Sequence, residues 1–191
     1  MVVDVSGKGI AAALLTASVE VLAAGFLEVG LPPEEVCDRV CRGLARRTPP
    51  EKFATAFVAV LDAESGALRY ASAGHDPVIL VRGGGVDLLG STGPPLGLIA
   101  DATRTGVDTV LEPGDLLVLY TDGITEATAP ATDEEYGRSR LAALCTEQRH
   151  LPLDELARAV EDDLIRFTGG APFADDRTLV LARRRRPESA A

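Results

Sequence analysis

Three acidic segments of this sequence lie where apolar runs begin or end. The run LLVLYTDGITEA stops on Asp122 and Gly123, and MVVDVSGKGIAAALL leads from three apolar residues into Asp4. The third segment, FADDRTLVLARR, places Asp175 and Asp176 just before a run that is typical of a strand. A buried carboxylate is costly unless something positive lies beside it, and hard divalent cations take oxygen ligands. Because strands hold side chains rigidly, the shared setting favours a metal site formed by Asp4, Asp122 and Asp175.

Each acid also has an ordinary structural explanation. Asp close to Gly or Ser commonly begins a turn or caps a helix. For any one of the three acids taken alone, this explanation is the simpler one. The metal site is favoured only by their joint occurrence, since all three directly flank strongly apolar strands.

The composition is that of an aliphatic globular protein. The chain has 191 residues, of which 46% are hydrophobic and only 4% aromatic, with no tryptophan. We predict one domain over residues 1–186 and a tail over residues 187–191. The formal net charge of −10 repels phosphate backbones, which argues against nucleic acid as a partner. The basic cluster from Arg183 to Arg186 is predicted to lie in solvent.

The cysteines, the apolar segments and the start of the sequence each bear on where the protein is located. Cys37, Cys41 and Cys145 are odd in number and lack the C-x-x-C spacing of a zinc site, so we expect buried, reduced thiols. The longest apolar stretch is interrupted by Glu20 and rich in alanine, and we expect no membrane span. The start has no signal-peptide pattern, so the sequence predicts a cytoplasmic protein.

The order of elements predicts an α+β fold. Two helices are expected first, from Gly9 to about Val29 and from Pro33 to Arg47, with Gly30 as a cap between them. A block of short β-type runs follows, separated by tight Gly-containing turns that predict antiparallel hairpins. In this block the run TGVDTVL is expected to pair with LLVLYTD across the turn EPGD.

Two further helices and one strand complete the predicted fold. The helices are EEYGRSRLAALCTEQ and LDELARAVEDDLIRF, and the strand is RTLVLAR. Leu153, Leu156, Val160 and Leu164 form one apolar stripe on the second of these helices. This segregation of helices and strands favours a sandwich of antiparallel sheets flanked by helical hairpins.

Several motifs occur in an order that resembles a known family. They are DVSGKGIAAALL, FATAFVAVLDAESGALRYASAGHDPVILV, GPPLGL, LEPGDLLVLYTDGITEA, YGRSRL and DDRTLVL, and they cover nearly the whole chain. In this order they resemble the bacterial metal-dependent serine/threonine phosphatases of the protein phosphatase 2C type. The resemblance is to the branch that contains the sporulation stage II E phosphatase and the sigma-factor regulatory phosphatases.

The resemblance implies a fold and a metal centre. The implied fold is a four-layer α-β-β-α sandwich, and the implied cofactor is a pair of Mn²⁺ or Mg²⁺ ions. Asp4 resembles the carboxylate that bridges the two ions, and the carbonyl of Val5 would be a ligand of the second ion. Asp122 and Asp175 resemble ligands of the first ion. Residues around these ligands would be Gly123 and Asp176, and Lys8 would attract the substrate phosphate.

The resemblance also implies a reaction and its partners. Two cations about 3.5–4 Å apart lower the pKa of a shared water and neutralise charge on the phosphoryl oxygens, so that hydroxide attacks phosphorus directly. The implied substrate is a phosphorylated anti-sigma-factor antagonist. Regulation would act on the first helical hairpin, residues 9–47. Family members carry further strands with a Gly-Gly-Asp segment before the first motif, so we expect a shortened first sheet, an upstream sensor domain in a longer chain and scope for a homodimer.

Other readings of the same residues are weaker. SGKG lacks the spacing of a phosphate-binding P-loop. His75 could act as a general acid but is more simply a turn residue, and Ser6 and Thr121 have no accompanying His and Asp at a recognisable spacing. The competing function is a phosphatase-like domain with impaired catalysis that serves as a regulatory protein-binding module.

Overall fold

The structure is a computed structural model that describes residues 1–49, 52–172 and 175–185. The chain divides into two compact units, here called unit 1 (residues 1–77 and 90–110) and unit 2 (residues 78–89 and 111–191). Each unit contains a four-stranded antiparallel sheet and helices, which confirms the predicted α+β class. The tail predicted for residues 187–191 lies outside the described residues.

The elements of the described chain follow the predicted order closely. Unit 1 contains, in order along the chain, β1 (Val2–Val5), α1 (Ile10–Glu28), α2 (Pro33–Ala45), β2 (Ala54–Leu61) and β3 (Ala67–Ala73). The chain then forms β4 (Val78–Arg82) and β5 (Gly85–Leu89) of unit 2, and β6 (Val107–Val110) of unit 1. The rest of unit 2 contains β7 (Leu116–Tyr120), α3 (Asp122–Thr125), α4 (Arg138–Glu147), α5 (Leu153–Phe167) and β8 (Leu179–Arg183).

In unit 1 a helical pair packs on one face of the sheet. The strand order is β1-β2-β3-β6, with every neighbouring pair antiparallel. Ala54, Ala56 and Val58 alternate along β2 and belong to the same buried cluster as Val19 of α1 and Val40 of α2. This period of two on a strand, facing a period near 3.6 on a helix, is the pattern of a one-sided core.

The first helix ends where the sequence predicts. Gly30 has φ of 80°, and the amides of Gly30 and Leu31 donate to the carbonyls of Leu27 and Phe26 at 2.9 and 3.2 Å. These bonds satisfy carbonyls that the end of a helix would otherwise leave unpaired. The second helix then starts at Pro33, whose missing N–H costs nothing in a first turn.

Helix α1 contradicts the expectation that no stretch is long and apolar enough for a membrane span, by length and composition only. Helix α1 is long and apolar enough to cross a bilayer, and 22% of its apolar 18-residue stretch is buried inside the structure. Such a helix is weak evidence for a membrane span, because core helices of other proteins and signal sequences are equally long and apolar. Leu15, Val19 and Ala23 of α1 are buried in the core of unit 1.

In unit 2 the most buried strand lies in the middle of the sheet. The strand order is β5-β4-β7-β8, and all five residues of β7 are buried. The cluster beneath this sheet contains Leu141 of α4 together with Leu156, Val160 and Leu164 of α5. The apolar stripe predicted on α5 is therefore confirmed, although Leu153 is only partly buried.

One strand pairing was predicted wrongly. The EPGD turn exists, with the amide of Asp115 donating to the carbonyl of Glu112 at 2.9 Å, but it does not join a hairpin. Strand β6 pairs with β3 in unit 1, whereas β7 pairs with β4 and β8 in unit 2. Burial explains the difference, because β6 alternates between partly buried and exposed residues as an edge strand does, while β7 is buried throughout.

Three local predictions also need correction. Helix α4 begins at Arg138 and not at Glu134, because Gly137 has φ of 77° and cannot continue a helix. The segment after β7 forms the one-turn helix α3, which the sequence analysis did not predict. Two residues of the basic cluster are held by the fold, since Arg183 donates to the carbonyl of Leu151 and Arg184 to that of Leu111, both at 2.7 Å.

Candidate active site

In unit 2 the ends of two paired strands bring two acidic segments together. Strands β7 and β8 are antiparallel, with Tyr120 opposite Leu179. Beyond this pair the amide of Thr121 donates to the carbonyl of Thr178 at 3.1 Å. The residue after Thr121, Asp122, therefore lies beside the loop that carries Asp175 and Asp176. Asp122 begins the one-turn helix α3, so the carboxylate follows the strand by one residue and does not belong to it.

The side chain of Thr121 fastens these two segments to each other. Its hydroxyl accepts a hydrogen bond from the amide of Thr178 at 2.9 Å and donates to the carbonyl of Asp176 at 3.4 Å. Thr121 is only 4% exposed, although its partners Asp176 and Thr178 are exposed residues. In the sequence Thr121 is a candidate only as a nucleophile, whereas in the structure its hydroxyl makes positioning contacts.

Gly123 permits the close approach of the two segments. A Cβ atom at this position would overlap the carbonyl oxygen of Asp176 and would approach Cγ of Arg177 to 3.3 Å. Only glycine leaves room for that carbonyl. The resemblance assigned Gly123 to the surroundings of the ligands, and the contact gives a physical reason for the glycine.

The carboxylates of this loop are accessible from solvent. Asp175 and Asp176 are exposed, whereas Asp122 is partly buried. The amide of Asp176 donates to Oδ1 of Asp175 at 2.9 Å, and this bond fixes one oxygen of Asp175 relative to the backbone. Its second oxygen is not part of this bond.

A small cavity lies next to the acidic segments within unit 2. Its volume is about 230 Å³, and it is lined mainly by apolar residues that include Ile124 and Leu179. Glu161 and Arg177 also line it. Arg177 was not singled out by the sequence analysis, because an arginine after two acids resembles a solvated charge. Its Cγ lies close to Gly123 and the residue directly follows Asp176, so the structure adds an arginine next to the acidic segments.

In unit 1 the candidate ligands lie on the edge strand β1. Asp4 is partly buried and lies opposite Thr55 of β2, and Val5 lies opposite Ala54. The strand pairing continues for one residue, since the amide of Ser6 donates to the carbonyl of Phe53 at 2.9 Å. Regular pairing thus fixes the backbone at both Asp4 and Val5.

Two lysines are found near the turn after β1. Lys8 is exposed in the segment that leads to α1. Lys52 was missed by the sequence analysis, yet its Nζ lies 2.8 Å from where a Cβ at Gly7 would be. Gly7 has φ of 93°, so glycine suits this position both for its backbone conformation and for the space that Lys52 occupies. Either lysine could attract an anion to this turn.

His75 lies in the segment between β3 and β4 and is buried. It is 4% exposed, and its Nδ1 lies 3.0 Å from the hydroxyl of Thr55. Because Thr55 lies opposite Asp4 in the sheet, His75 belongs to the polar surroundings of β1. The contact supports a positioning role more directly than a catalytic one.

The donor types suit a hard divalent cation, but a complete ligand cluster is not found. Carboxylate oxygens are the ligands that Mg²⁺ and Mn²⁺ prefer, and unit 2 places Asp122 near Asp175 and Asp176. Among residues 1–49, 52–172 and 175–185, no group of three or more His, Cys, Asp and Glu side chains is arranged to hold a metal ion. The ligand set of Asp4, Val5, Asp122 and Asp175 therefore stays a prediction.

Comparison with known sequences establishes the family. The family model for stage II sporulation protein E (SpoIIE) matches residues 1–185. This chain belongs to the SpoIIE family. It therefore carries a phosphatase domain of the protein phosphatase 2C (PP2C) type, which confirms the resemblance drawn from the motifs.

Two relatives match most of this chain but only part of their own length. Protein IcfG of Synechocystis sp. is 36% identical over 133 residues, which are 69% of this chain and 21% of that protein. Phosphoserine phosphatase RsbU of Bacillus subtilis is 30% identical over 186 residues, which are 96% of this chain and 55% of that protein. The chain thus spans between about a fifth and just over half of these relatives.

Solved structures share the fold. The SiaA-PP2C domain of Pseudomonas aeruginosa matches with a TM-score of 0.84 at 22% identity, covering 95% of this chain and 73% of that one. The RsbU and RsbW domains of Rv1364c from Mycobacterium tuberculosis match with a TM-score of 0.78 at 27% identity, covering 96% of this chain and 50% of that one. RsbX in complex with magnesium matches with a TM-score of 0.68 at 17% identity, covering 94% of this chain and 77% of that one.

Proposed function

We propose that this chain is the catalytic domain of a divalent-metal-dependent phosphatase that hydrolyses phosphoserine or phosphothreonine in a protein. The match of the SpoIIE family model to residues 1–185 carries the proposal. It is supported by a relative named a phosphoserine phosphatase and by the acidic segments that meet in unit 2. The structure of RsbX with magnesium supports a divalent cation as cofactor, with the choice between Mn²⁺ and Mg²⁺ left to experiment.

The proposed ligands are Asp4, the carbonyl of Val5, Asp122 and Asp175. Bound ions would activate a water molecule and neutralise charge on the phosphoryl oxygens. Asp176 orients Asp175 through its amide, and Thr121 keeps their loop against α3. Strand pairing at Thr121 and the one-turn helix α3 form one side of these contacts, so the loop of Asp175 is fixed against a rigid element.

The chain also supplies positive groups for the phosphate. Lys8 is the proposed substrate contact, and Lys52 and Arg177 are further candidates because each lies next to a ligand-bearing segment. A guanidinium matches two phosphate oxygens at once, whereas an ammonium acts as a point charge. Arg177 is therefore expected to contribute more to orientation of the phosphate than either lysine.

The test is Mn²⁺-dependent release of phosphate from an aryl phosphate and from a phosphoserine peptide. Asp122→Asn is expected to lower the rate at least about 100-fold with an unchanged circular dichroism spectrum, because one metal ligand loses its charge. Asp154→Asn is the matched control, since this exposed acid of α5 pairs only with Arg158 in the salt bridges of the described chain. Equal rates for both variants would remove the assigned ligand.

The absence of a three-acid cluster among the described residues favours one alternative, a phosphatase-like module that binds a partner without turnover. Calorimetric titration with Mn²⁺ separates the two functions. The enzyme is expected to bind Mn²⁺ with an affinity that Asp122→Asn weakens. A wild-type chain that neither binds Mn²⁺ nor releases phosphate would be the binding module.

The proposed substrate is a phosphorylated anti-sigma-factor antagonist. Support comes from the relative RsbU and from a solved chain in which RsbU and RsbW domains occur together. We also propose that the first helical hairpin, α1 and α2, is where regulation acts, because α1 begins six residues after Asp4. A cytoplasmic location and a homodimer belong to the same proposal.

A further inference from the structure

Four arginines of unit 1 line one concave surface. The pocket has a volume of about 510 Å³ and lies on the helical pair α1 and α2, and we call it the arginine pocket. Its lining consists of Phe26, Arg39, Arg42, Gly43, Arg46 and Arg47. The arginines follow helical spacing, at i, i+3, i+7 and i+8 counted from Arg39, so α2 and its C-terminal turn present them on one face. Within the described chain this lining contains no acidic side chain.

The arginines are only partly neutralised by the protein itself. Arg39 pairs with Glu35 at 2.7 Å and lies 5.7 Å from the ring centre of Phe26. Arg47 donates to the carbonyl of Gly43 at 3.3 Å. Arg42 and Arg46 are exposed, and the salt bridges formed by the described residues include neither.

A bound anion would relieve the repulsion within this stripe. Like charges three or four residues apart on a helix repel each other, and the C-terminal helix dipole offsets part of this repulsion for Arg42 in the last turn and Arg46 at the helix end. The chain as a whole carries a formal charge of −10, so the protein as a whole repels anions. Only the local group of four arginines would attract one. A bound polyanion would neutralise them.

Gly43 gives a second, independent indication. It lies inside α2, where glycine destabilises a helix by about 0.5–1 kcal/mol relative to alanine. A Cβ here would meet only Cδ1 of Leu22 at 3.9 Å, which is an ordinary contact, so packing does not require glycine. Gly43 lines the pocket between the arginines, and its missing side chain keeps the floor of the pocket open.

We propose that the arginine pocket binds a small molecule that carries several phosphate groups. Its volume lies within the range of about 300–1,000 Å³ that small-ligand sites have. Guanidinium groups bind phosphate oxygens in pairs, and four of them match the charge of a triphosphate far better than that of a single carboxylate. The site belongs to α1 and α2 and does not depend on the proposed hydrolysis.

The experiment is calorimetric titration of the metal-free protein with sodium triphosphate and, separately, with ATP. One site per chain is expected. The double variant Arg42→Ala/Arg46→Ala should weaken binding at least about tenfold, because each charged hydrogen bond contributes strongly. Gly43→Ala should also weaken it, while raising the melting temperature. ATP binding equal to triphosphate identifies polyphosphate as the ligand class, and tighter ATP binding identifies a nucleotide.

Matched variants make the test decisive. Arg158→Ala removes an exposed arginine from unit 2, and Asp122→Asn alters the candidate active site, so both should bind triphosphate as the wild type does. The proposal is overturned by absence of binding, by an equal loss in Arg158→Ala, or by full binding in Arg42→Lys/Arg46→Lys, which keeps charge without the guanidinium fork. Tighter binding of a hexaglutamate peptide than of triphosphate would instead identify a docking surface for an acidic protein.

Discussion

The two compact units build similar sheets and helical pairs from side chains of different size. In the buried cluster of unit 1 alanine supplies five of fourteen residues, together with two cysteines. Among the described residues, alanine supplies none of the twelve in the cluster of unit 2, and Tyr120 and Tyr136 are among its members. A core of small residues leaves little room for added atoms, whereas a core of large residues loses most when atoms are removed. The units should therefore fail under opposite substitutions.

Truncation in unit 2 is expected to have the largest effect on stability. Leu156 of α5 is fully buried, and Leu156→Ala should lower the free energy of unfolding by about 2–5 kcal/mol, measured by urea denaturation. Ile165→Ala on the same helix is the control, because Ile165 is 42% exposed and should cost far less. Equal losses from the two variants would mean that α5 does not contribute its buried face to the core.

Enlargement in unit 1 should have the next largest effect. Ala23 of α1 is 1% exposed, so Ala23→Leu forces three extra carbon atoms into the core and should cost about 1–3 kcal/mol. The neighbouring Ala24 is exposed, and Ala24→Leu makes the same chemical change on the same helix with an effect within about 0.5 kcal/mol. If Ala23→Leu were as stable as Ala24→Leu in urea, the small-residue core would be looser than its composition indicates.

The units also differ in how they hold their candidate ligands. Asp4 lies within a regular strand pair, whereas Asp122 begins the one-turn helix α3 and Asp175 lies in a loop that Thr121 fastens to it. Thr121→Val keeps the shape of the side chain but removes both hydrogen bonds of the hydroxyl, so it should cost about 1 kcal/mol of stability. Expressed as a free energy, the loss in the rate of phosphate release should exceed this loss of stability, because the loop that carries Asp175 is released from α3.

Thr146→Val is the matched control for that prediction. Its hydroxyl donates only to the carbonyl of Ala142 within α4, at 2.7 Å, and makes no contact with an acidic segment. Activity and stability should both stay close to the wild type in this variant. A Thr121→Val protein with wild-type phosphate release would remove the positioning role.

Sequence patterns predicted those features that local chemistry decides. The bounds of α5 were predicted fully, because Pro152 precedes the helix and a regular apolar stripe runs along it. The end of α1 followed from Gly30 in the same way. The acidic segments were recognised because each directly flanks an apolar run, and Gly123 and Asp176 were placed beside them by resemblance.

Features that depend on distant contacts could not be predicted. Whether β6 joins the sheet of β3 or pairs with β7 is decided by burial in the folded units, and a turn motif carries no information about that choice. The roles of Thr121 and Lys52 depend on partners 57 and 45 residues away along the chain. The arginine pocket was missed for a different reason, since its four arginines lie within nine residues: arginines at the end of a helix are ordinary partners of the helix dipole.

The smallest expected effect concerns a charge pair of unit 1. Arg69 holds Glu34 with two hydrogen bonds, at 2.6 and 3.2 Å, and these lower the pKa of the Glu34 carboxyl below its ordinary value of 4.5. A carboxyl whose pKa is lowered by folding stabilises the folded state above the unfolded pKa, and this contribution is lost as the pH falls through the folded pKa. Glu34→Gln should therefore destabilise the protein at neutral pH and have no effect in strong acid.

Urea denaturation between pH 7 and pH 3 provides the measurement. The difference between wild type and Glu34→Gln should be constant down to about pH 5 and then shrink, since only the charged carboxylate pairs with Arg69. Glu35→Gln is the control, because the carboxylate of Glu35 pairs with Arg39 while both side chains are more than 40% exposed. A difference that stayed unchanged down to pH 3 would show that Glu34 contributes by packing and not by its charge.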